Sequence, residues 1–415
     1  MSDTNSLTRN PVWNDFGRTC RSVCGTNNNM GTVFWMFSLL AFPVLESAKI
    51  LTLNMLVSAT PLPPLLSFST LCPFPSVSLS LRDNFTTFLN FMGHLSYQCD
   101  RLLGDQEMMT FLQKERYDIT ILDAFNPCSF ILARKLGIDY IAFHPGTLNS
   151  PLSMALPSPV SYIPVFGSQL SDQMNTWGRA KNLFYSLLEL VWSTFREVAE
   201  RHFDSDSPPG GLEELHQGAE LWAFNTDFSL EFPQPLMPYT VLVGGLLNKP
   251  AQPPEQVSSL DLWISNFGEA GFVVVTLGSM VSSVSVDSLL VELVAGFSRI
   301  PQGVIWRYDP ERWPSHLDRP PNLRLMDWLP LNDLLGHKKV RVFVTHGGQN
   351  SLFQAVYHAV PVLGIPLFGD QFDNMVRAKT KGLGLTIKPT HITRELLSST
   401  IQTLSQDIRY VKGHL

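Results

Sequence analysis

The chain has 415 residues, 44% hydrophobic and 16% charged, with a formal net charge of −6. That length leads to two or three domains with a sizeable core, and the acidic balance offers no basic footprint for nucleic acid. The five cysteines (Cys20, Cys24, Cys72, Cys99, Cys128) are too few for a disulfide scaffold and fit no zinc spacing; their pairing stays open, with at least one thiol left over within the chain.

Residues 1–30 are polar and rich in Asn, Thr and Ser, and read as a disordered upstream extension, with Met30 the natural start. Residues 31–48 carry about fourteen apolar residues ahead of Glu46-Ser47-Ala48, too few to span a bilayer but suited to a signal peptide; a buried core segment is the alternative. A strand, "AKILTLNML", follows. Residues 58–83 form an irregular insert, because prolines at 61, 63, 64, 73 and 75 break any helix. Asn84-Phe85-Thr86 is the single Asn-x-Ser/Thr sequon, which fits a glycoprotein of the secretory lumen.

A helical segment then runs from Asn84 to about Lys114. The strand "YDITILDAF" ends at Asp123 and leads through a helix at 129–136 into "IDYIAFHPG", a βαβ unit. Residues 181–200 predict an amphipathic helix whose aromatic stripe is most simply core packing, with membrane-surface contact as the alternative. After the strand "ELWAFNTDF", a Pro-rich linker at 248–257 divides an N-terminal domain (49–247) from a C-terminal one (258–415). Beyond it, strands ("GFVVVTLGS", "GVIWRY", "NLRLMDW", "VRVFVT", "PVLGI", "LGLTI") alternate with helices at 285–298, 349–358, 370–381 and 391–405. Such alternation predicts an α/β protein of two Rossmann-like, doubly wound parallel-sheet domains facing a cleft. There is no GxxxxGK[ST] loop and no convincing GxGxxG, which removes the P-loop NTPase and ordinary dinucleotide readings.

In "VFVTHGGQNSLFQAV" a buried strand meets a helix start through two glycines. A helix N-terminus there exposes unpaired N–H groups and a positive dipole at the sheet's carboxyl edge. His346, Gly348, Asn350 and Ser351 therefore read as an anion site suited to phosphate; the plain alternative is a Gly turn with an N-cap. Trp328 lies eighteen residues before His346 and can stack a flat base, while Asp370-Gln371 lies twenty-four after and can hold adjacent sugar hydroxyls. Base, phosphate and sugar readers in that order describe a nucleotide-sugar site.

The stretch from Trp328 to Gln371, "WLPLNDLLGHKKVRVFVTHGGQNSLFQAVYHAVPVLGIPLFGDQ", resembles the signature of the UDP-glycosyltransferase family without a gap. "AELWAFNTDF", "YTVLVGGL", "GFVVVTLGSM" and "GVIWRY" are also similar to its animal members, particularly the UDP-glycosyltransferase 3 branch. The resemblance implies the GT-B fold, with an N-terminal acceptor domain and a C-terminal UDP-sugar domain. It implies that Trp328 stacks uracil, that His346, Asn350 and Ser351 hold the diphosphate with Ser279 nearby, and that Asp370 and Gln371 hold the sugar. It implies no metal and no resident cofactor, the UDP-sugar being a co-substrate. Two signature positions depart: Leu331 stands where the family has Gln, and Gln354 stands where it has a ribose-binding Glu. An amide in place of that carboxylate is expected to weaken donor binding by roughly 1–3 kcal/mol.

Sugar transfer to a hydroxyl needs a general base. The family uses a His after its first strand, oriented by an Asp that Asp123 matches; the plain reading of Asp123 is a cap or turn. No histidine precedes His94, so the base is missing, and His144, at the end of the neighbouring strand, is the one substitute candidate. Family members normally continue past this point with crossing helices, a membrane helix and a basic tail, which this sequence, ending at Leu415, is expected to lack. The resulting expectation is a hexosyltransferase moving glucose, xylose or N-acetylglucosamine, in preference to glucuronate, onto a small lipophilic hydroxyl acceptor with inversion. Its setting is the endoplasmic reticulum, lumenal or secreted without the anchor, alone or as a homo- or hetero-oligomer with related transferases. The alternative is an impaired UDP-sugar-binding or pairing isoform.

Overall fold

The computed structural model describes residues 50–53, 81–146, 159–187, 193–202, 212–252, 259–278, 284, 287–407 and 410. The expectations for residues 1–30 and 31–48, nearly all of 58–83, and Ser279 fall outside these residues.

Two parallel sheets organise the chain. The first contains β1 (Ile50–Leu53), β2 (Ile119–Asp123), β3 (Tyr140–His144), β4 (Leu221–Phe224) and β5 (Thr240–Leu242), paired in chain order. Around it lie α1 (Leu81–Gly104), α2 (Gln106–Glu115), α3 (Pro127–Leu136), α4 (Thr176–Leu187), α5 (Ser193–His202) and α6 (Leu212–Gln217). The single helical segment expected from Asn84 to Lys114 is divided at Asp105, whose carboxylate caps α2 by accepting from Met108 N. Asn84 stands in the first turn of α1. A disulfide joins Cys99 on α1 to Cys128 in the first turn of α3, both fully buried.

The second sheet contains β6 (Phe272–Thr276), β7 (Gly303–Arg307), β8 (Leu323–Met326), β9 (Val340–Thr345), β10 (Val362–Gly364) and β11 (Gly384–Thr386). It is ordered β8-β7-β6-β9-β10-β11. Its helices are α7 (Ser259–Ser265), α8 (Asp287–Phe297), α9 (Leu331–Leu335), α10 (Gln349–Tyr357), α11 (Gln371–Thr380) and α12 (Arg394–Gln406). Strand β6, "FVVVT", is buried at every position because both faces are covered. Val273 and Val275 enter one core, while Phe272 and Val274 enter the other. The strand order reverses between β6 and β9, and in an open parallel sheet that switch point, at the strands' carboxyl ends, is where ligands bind.

One expectation is overturned. The helix predicted over 181–200 begins earlier, at Thr176, and the part of its aromatic stripe on that helix is not core: Phe184 is 58% exposed and Tyr185 half-buried, while Trp192 lies outside the described residues. The buried positions of α4 are Gly178 and Asn182. Asn182 accepts from Val165 N at 2.7 Å and donates to the carbonyls of Val160 and Ile163, so this helix turns its polar side inward to hold a loop backbone.

Candidate functional site: the cleft edge of the second sheet

Strand β9 delivers Thr345 to the sheet edge opposite Thr276 of β6, and the chain must then turn sharply into α10. Gly347 takes φ +88°, a left-handed conformation that a side chain would strain. Gly278 (φ +94°) and Gly348 leave room for an imidazole: a Cβ on either would lie 2.7 or 2.6 Å from His346 Nε2. The glycines thus wrap the ring of His346, whose Nδ1 meets Thr345 Oγ1 at 3.3 Å. Burial lowers His346 to about 4, so it is neutral at pH 7 and can offer one N–H to an anion. Gly348 is the N-cap of α10 and supplies no side-chain cap, leaving the first-turn N–H groups to a ligand.

Asn350 and Ser351 occupy that first turn. Asn350 Oδ1 accepts from Asn225 Nδ2 of the first domain at 2.8 Å, which leaves its amide nitrogen as the donor. Asn225 follows β4 and also donates to Pro145 O at 3.2 Å. Gln354, one turn on, is half-buried on α10.

Trp328 is 42% exposed, and the guanidinium of Arg307 stands 5.9 Å from its ring centroid. The same Arg307 donates from Nη1 to Gly278 O at 2.6 Å, tying the Trp328 ring to the loop after β6. At the start of α11, Asp370 Oδ2 accepts from Asn374 Nδ2 at 2.7 Å, and the same amide donates to Gly347 O at 2.9 Å. Burial pushes the Asp370 carboxyl above the ordinary carboxylate range, partly offset by Asn374 and by the charge of Arg377. Gln371 is buried, and its Oε1 accepts from Leu367 N (2.8 Å) and Phe368 N (3.1 Å), so its amide nitrogen is the group left to donate to a ligand.

Arg307, Asn374 and Asn225 were not anticipated from sequence. A charge ending the apolar strand "GVIWR" and an amide one helical turn after Asp370 were the available signals for the first two. Asn225 carried none, because its partner lies 125 residues away.

The acceptor side is less complete. Asp123 ends β2 with Oδ1 accepting from Phe125 N at 3.0 Å, and burial raises it to about 6. Register places Asp123 beside Phe143, and strand alternation turns His144 to the opposite face, where its ring packs on Phe224 with centroids 5.8 Å apart. His144 Nδ1 accepts from Gly146 N at 3.2 Å, and burial lowers it to about 4, so it is neutral and weakly basic. Among the described residues Asp123 therefore has no imidazole partner, and the structure does not bring the two candidate catalytic residues together. Among the described residues there is also no group of three or more His, Cys, Asp or Glu placed to hold a metal ion, and no helix long and apolar enough to cross a membrane.

Comparison with known proteins bears on the family and the fold. The profile of the family described as "UDP-glucoronosyl and UDP-glucosyl transferase" matches residues 76–414. The Bos taurus protein named UDP-glucuronosyltransferase 3A1 is 43% identical over 334 residues, covering 79% of this chain and 63% of the relative. The Mus musculus 2-hydroxyacylsphingosine 1-beta-galactosyltransferase is 38% identical over 325 residues, covering 76% of this chain and 58% of the relative. The chain thus spans less than two thirds of the length of these relatives. Among solved structures, the calicheamicin glycosyltransferase CalG4 superposes with a TM-score of 0.54 at 18% identity, over 83% of this chain and 77% of that one. At that identity the likeness speaks for the fold, which is GT-B. The chain belongs to the UDP-glycosyltransferase family.

Proposed function

We propose that this chain binds a UDP-sugar at the β6–β9 switch point and transfers the sugar, by inverting displacement, to the hydroxyl of a small lipophilic acceptor held by the first domain. The observation that carries the reading is the uncapped N-terminus of α10 beside a glycine-wrapped, neutral His346. Uracil stacks on Trp328. The diphosphate lies on the first-turn N–H groups, Asn350 and Ser351, with Ser279 nearby, and the sugar hydroxyls meet Asp370 and Gln371. In the reaction the acceptor oxygen bonds to the anomeric carbon as the bond to UDP breaks. The leaving diphosphate is stabilised by the fixed donors of α10, and the hydroxyl proton passes to a base. The reaction draws on no resident metal or cofactor.

Glucose, xylose or N-acetylglucosamine is the preferred donor sugar. A glucuronate carboxylate wants a free cation, whereas Arg377, the charge nearest Asp370's helix face, already faces Glu231 with Nε and Oε2 3.8 Å apart. The relatives' own names differ in the sugar, glucuronosyl in one and galactosyl in another. The buried Cys99–Cys128 disulfide favours an oxidising compartment, in keeping with the lumen of the secretory pathway and the endoplasmic reticulum.

A second reading rests on Asp123. Its family partner comes from the segment after β1, and residues 54–80 contain no histidine. A chain that binds UDP-sugar without turning it over, a pairing isoform, accounts for that. Turnover of UDP-glucose with a panel of phenolic and steroidal acceptors separates the two readings. Release of UDP coupled to glucoside formation establishes the transferase. Binding without product, with product restored when the family's His-bearing first loop replaces residues 54–80, establishes the pairing isoform.

A further inference from the structure

The first turn of α11 carries more than the sugar-reading pair. Asp373, three residues after Asp370, is 5% exposed and points away from solvent into the first domain. Its two carboxylate oxygens accept from two backbone amides of one loop: Oδ2 from Gly167 N at 2.6 Å and Oδ1 from Gln169 N at 2.8 Å. That loop turns left-handed at both residues, with φ +78° at Gly167 and +53° at Gln169, and the two N–H groups on either side of Ser168 meet one carboxylate while Ser168 N donates to Val165 O. The loop is gripped from its other side by α4. Asn182 holds the amide of Val165, and Lys181 Nζ donates to Ser168 O at 2.5 Å. Residues 159–169 therefore form a strap whose one side is fixed to an acceptor-domain helix and whose other side hangs on a single carboxylate of the sugar-reading helix.

Further polar contacts of α11 converge on the same turn. Asn374 bridges Asp370 and Gly347, and its Oδ1 accepts from Arg377, which in turn faces Glu231 of the first domain. Glu231 accepts from Thr226, and Thr226 accepts from Gln349 at the start of α10. All of these side chains are buried or nearly so, which makes the junction stiff: a buried, fully paired polar network has few alternative arrangements.

We propose that Asp373 is a positioning residue that transmits occupancy of the sugar site to the acceptor-domain strap 159–169, so that the two substrates are brought into register only when a sugar is attached to UDP. The inference deepens the proposed donor site and rests on it. Sugar hydroxyls bonded to Asp370 and Gln371 tighten the first turn of α11, Asp373 is carried with that turn, and the strap follows because its amides have exchanged water for the carboxylate. UDP alone reaches α10 and Trp328 but not α11, so it leaves the strap as it is.

The test is amide hydrogen exchange at Gly167 and Gln169 in the full chain, unliganded, with UDP, and with UDP-glucose, UDP-xylose or UDP-N-acetylglucosamine, alongside binding constants for each. The nucleotide sugar is expected to slow exchange at both amides by about fivefold or more while UDP changes it by less than about twofold. Asp373→Asn, which puts an N–H against an N–H, is expected to abolish that difference and to reduce the preference for UDP-sugar over UDP by about tenfold, with UDP affinity unchanged. Equal protection by UDP and by every UDP-sugar, or a variant that keeps the wild-type preference, overturns the proposal; if the variant does not fold, the wild-type exchange arms decide it. No binding of UDP to wild type removes the donor-site reading itself, and this inference with it; binding of UDP with no sugar-dependent protection removes only the inference.

Discussion

Asn225, at the end of the first sheet's β4, donates its side-chain N–H to Oδ1 of Asn350, in the first turn of α10, across 2.8 Å. One domain thereby sets the orientation, in the other, of the amide proposed to bind the diphosphate. With its oxygen occupied, the Asn350 amide can present only N–H to the cleft, the polarity an anion requires. Asn225→Ala is expected to weaken UDP binding about fivefold, the worth of one neutral hydrogen bond. Calorimetric titration with UDP checks this, and an unchanged dissociation constant would show that the pair is incidental to the site.

Gln354 lies on α10, one turn after Asn350, where the family carries a ribose-binding carboxylate. Restoring it with Gln354→Glu is expected to tighten UDP binding by roughly 1–3 kcal/mol, because a carboxylate accepts from both ribose hydroxyls. The matching control is 2′,3′-dideoxy-UDP, whose affinity the substitution should leave alone. A variant that binds UDP more weakly than wild type would place the ribose elsewhere.

The protonation of Asp123 has a sign that can be read from stability. Burial raises it to about 6, above the ordinary carboxylate range, so the folded protein holds this proton better than the unfolded chain does. Its stabilising contribution is complete below the unfolded value and is lost as pH rises through about 6. Asp123→Asn keeps the Oδ1 that accepts from Phe125 N and removes the charge. The variant is expected to be more stable than wild type at pH 8, by about 1–3 kcal/mol, with little difference at pH 4. Thermal melts at the two pH values measure it; a destabilised variant at pH 8 would mean the carboxylate has an imidazole or other cationic partner after all.

His144 and His346 work in the opposite direction. Both are lowered to about 4 by burial, so the unfolded chain takes up protons that the folded protein refuses. Their contribution is present above the unfolded value, near 6.5, and is lost as pH falls toward 4. His144→Asn removes one such loss, so the variant's unfolding midpoint is expected to fall less than that of wild type between pH 7 and pH 4.5. A variant whose midpoint falls as far as that of wild type would show that the His144 ring is solvated.

Most of the proposed donor site is legible in the sequence because it is local. The apolar run of β9 ends in Thr345, two glycines follow, and polar residues open α10; strand, turn and anion site can be read within a dozen residues. The strand–helix alternation carried the fold for the same reason. The roles of Arg307, Asn374 and Asn225 were not legible, since each depends on which strand ends meet at the sheet edge or on how two domains face each other. Helix α4 shows the limit of periodicity more sharply. Its aromatic residues predicted a buried face, but the strap it carries demands hydrogen bonds, so Asn182 is buried and Phe184 is left in solvent. An apolar stripe identifies a helix; what the helix must hold decides which side turns inward.

The most direct measurement is an isothermal titration of the full chain with UDP, repeated on Trp328→Ala and His346→Ala. A donor site at the β6–β9 edge predicts saturable binding of one UDP per chain in wild type. Loss of uracil stacking predicts affinity at least tenfold lower in Trp328→Ala, and loss of the wrapped imidazole predicts a clear weakening in His346→Ala. Absence of saturable UDP binding by the folded wild-type chain, or binding that neither substitution affects, would contradict it.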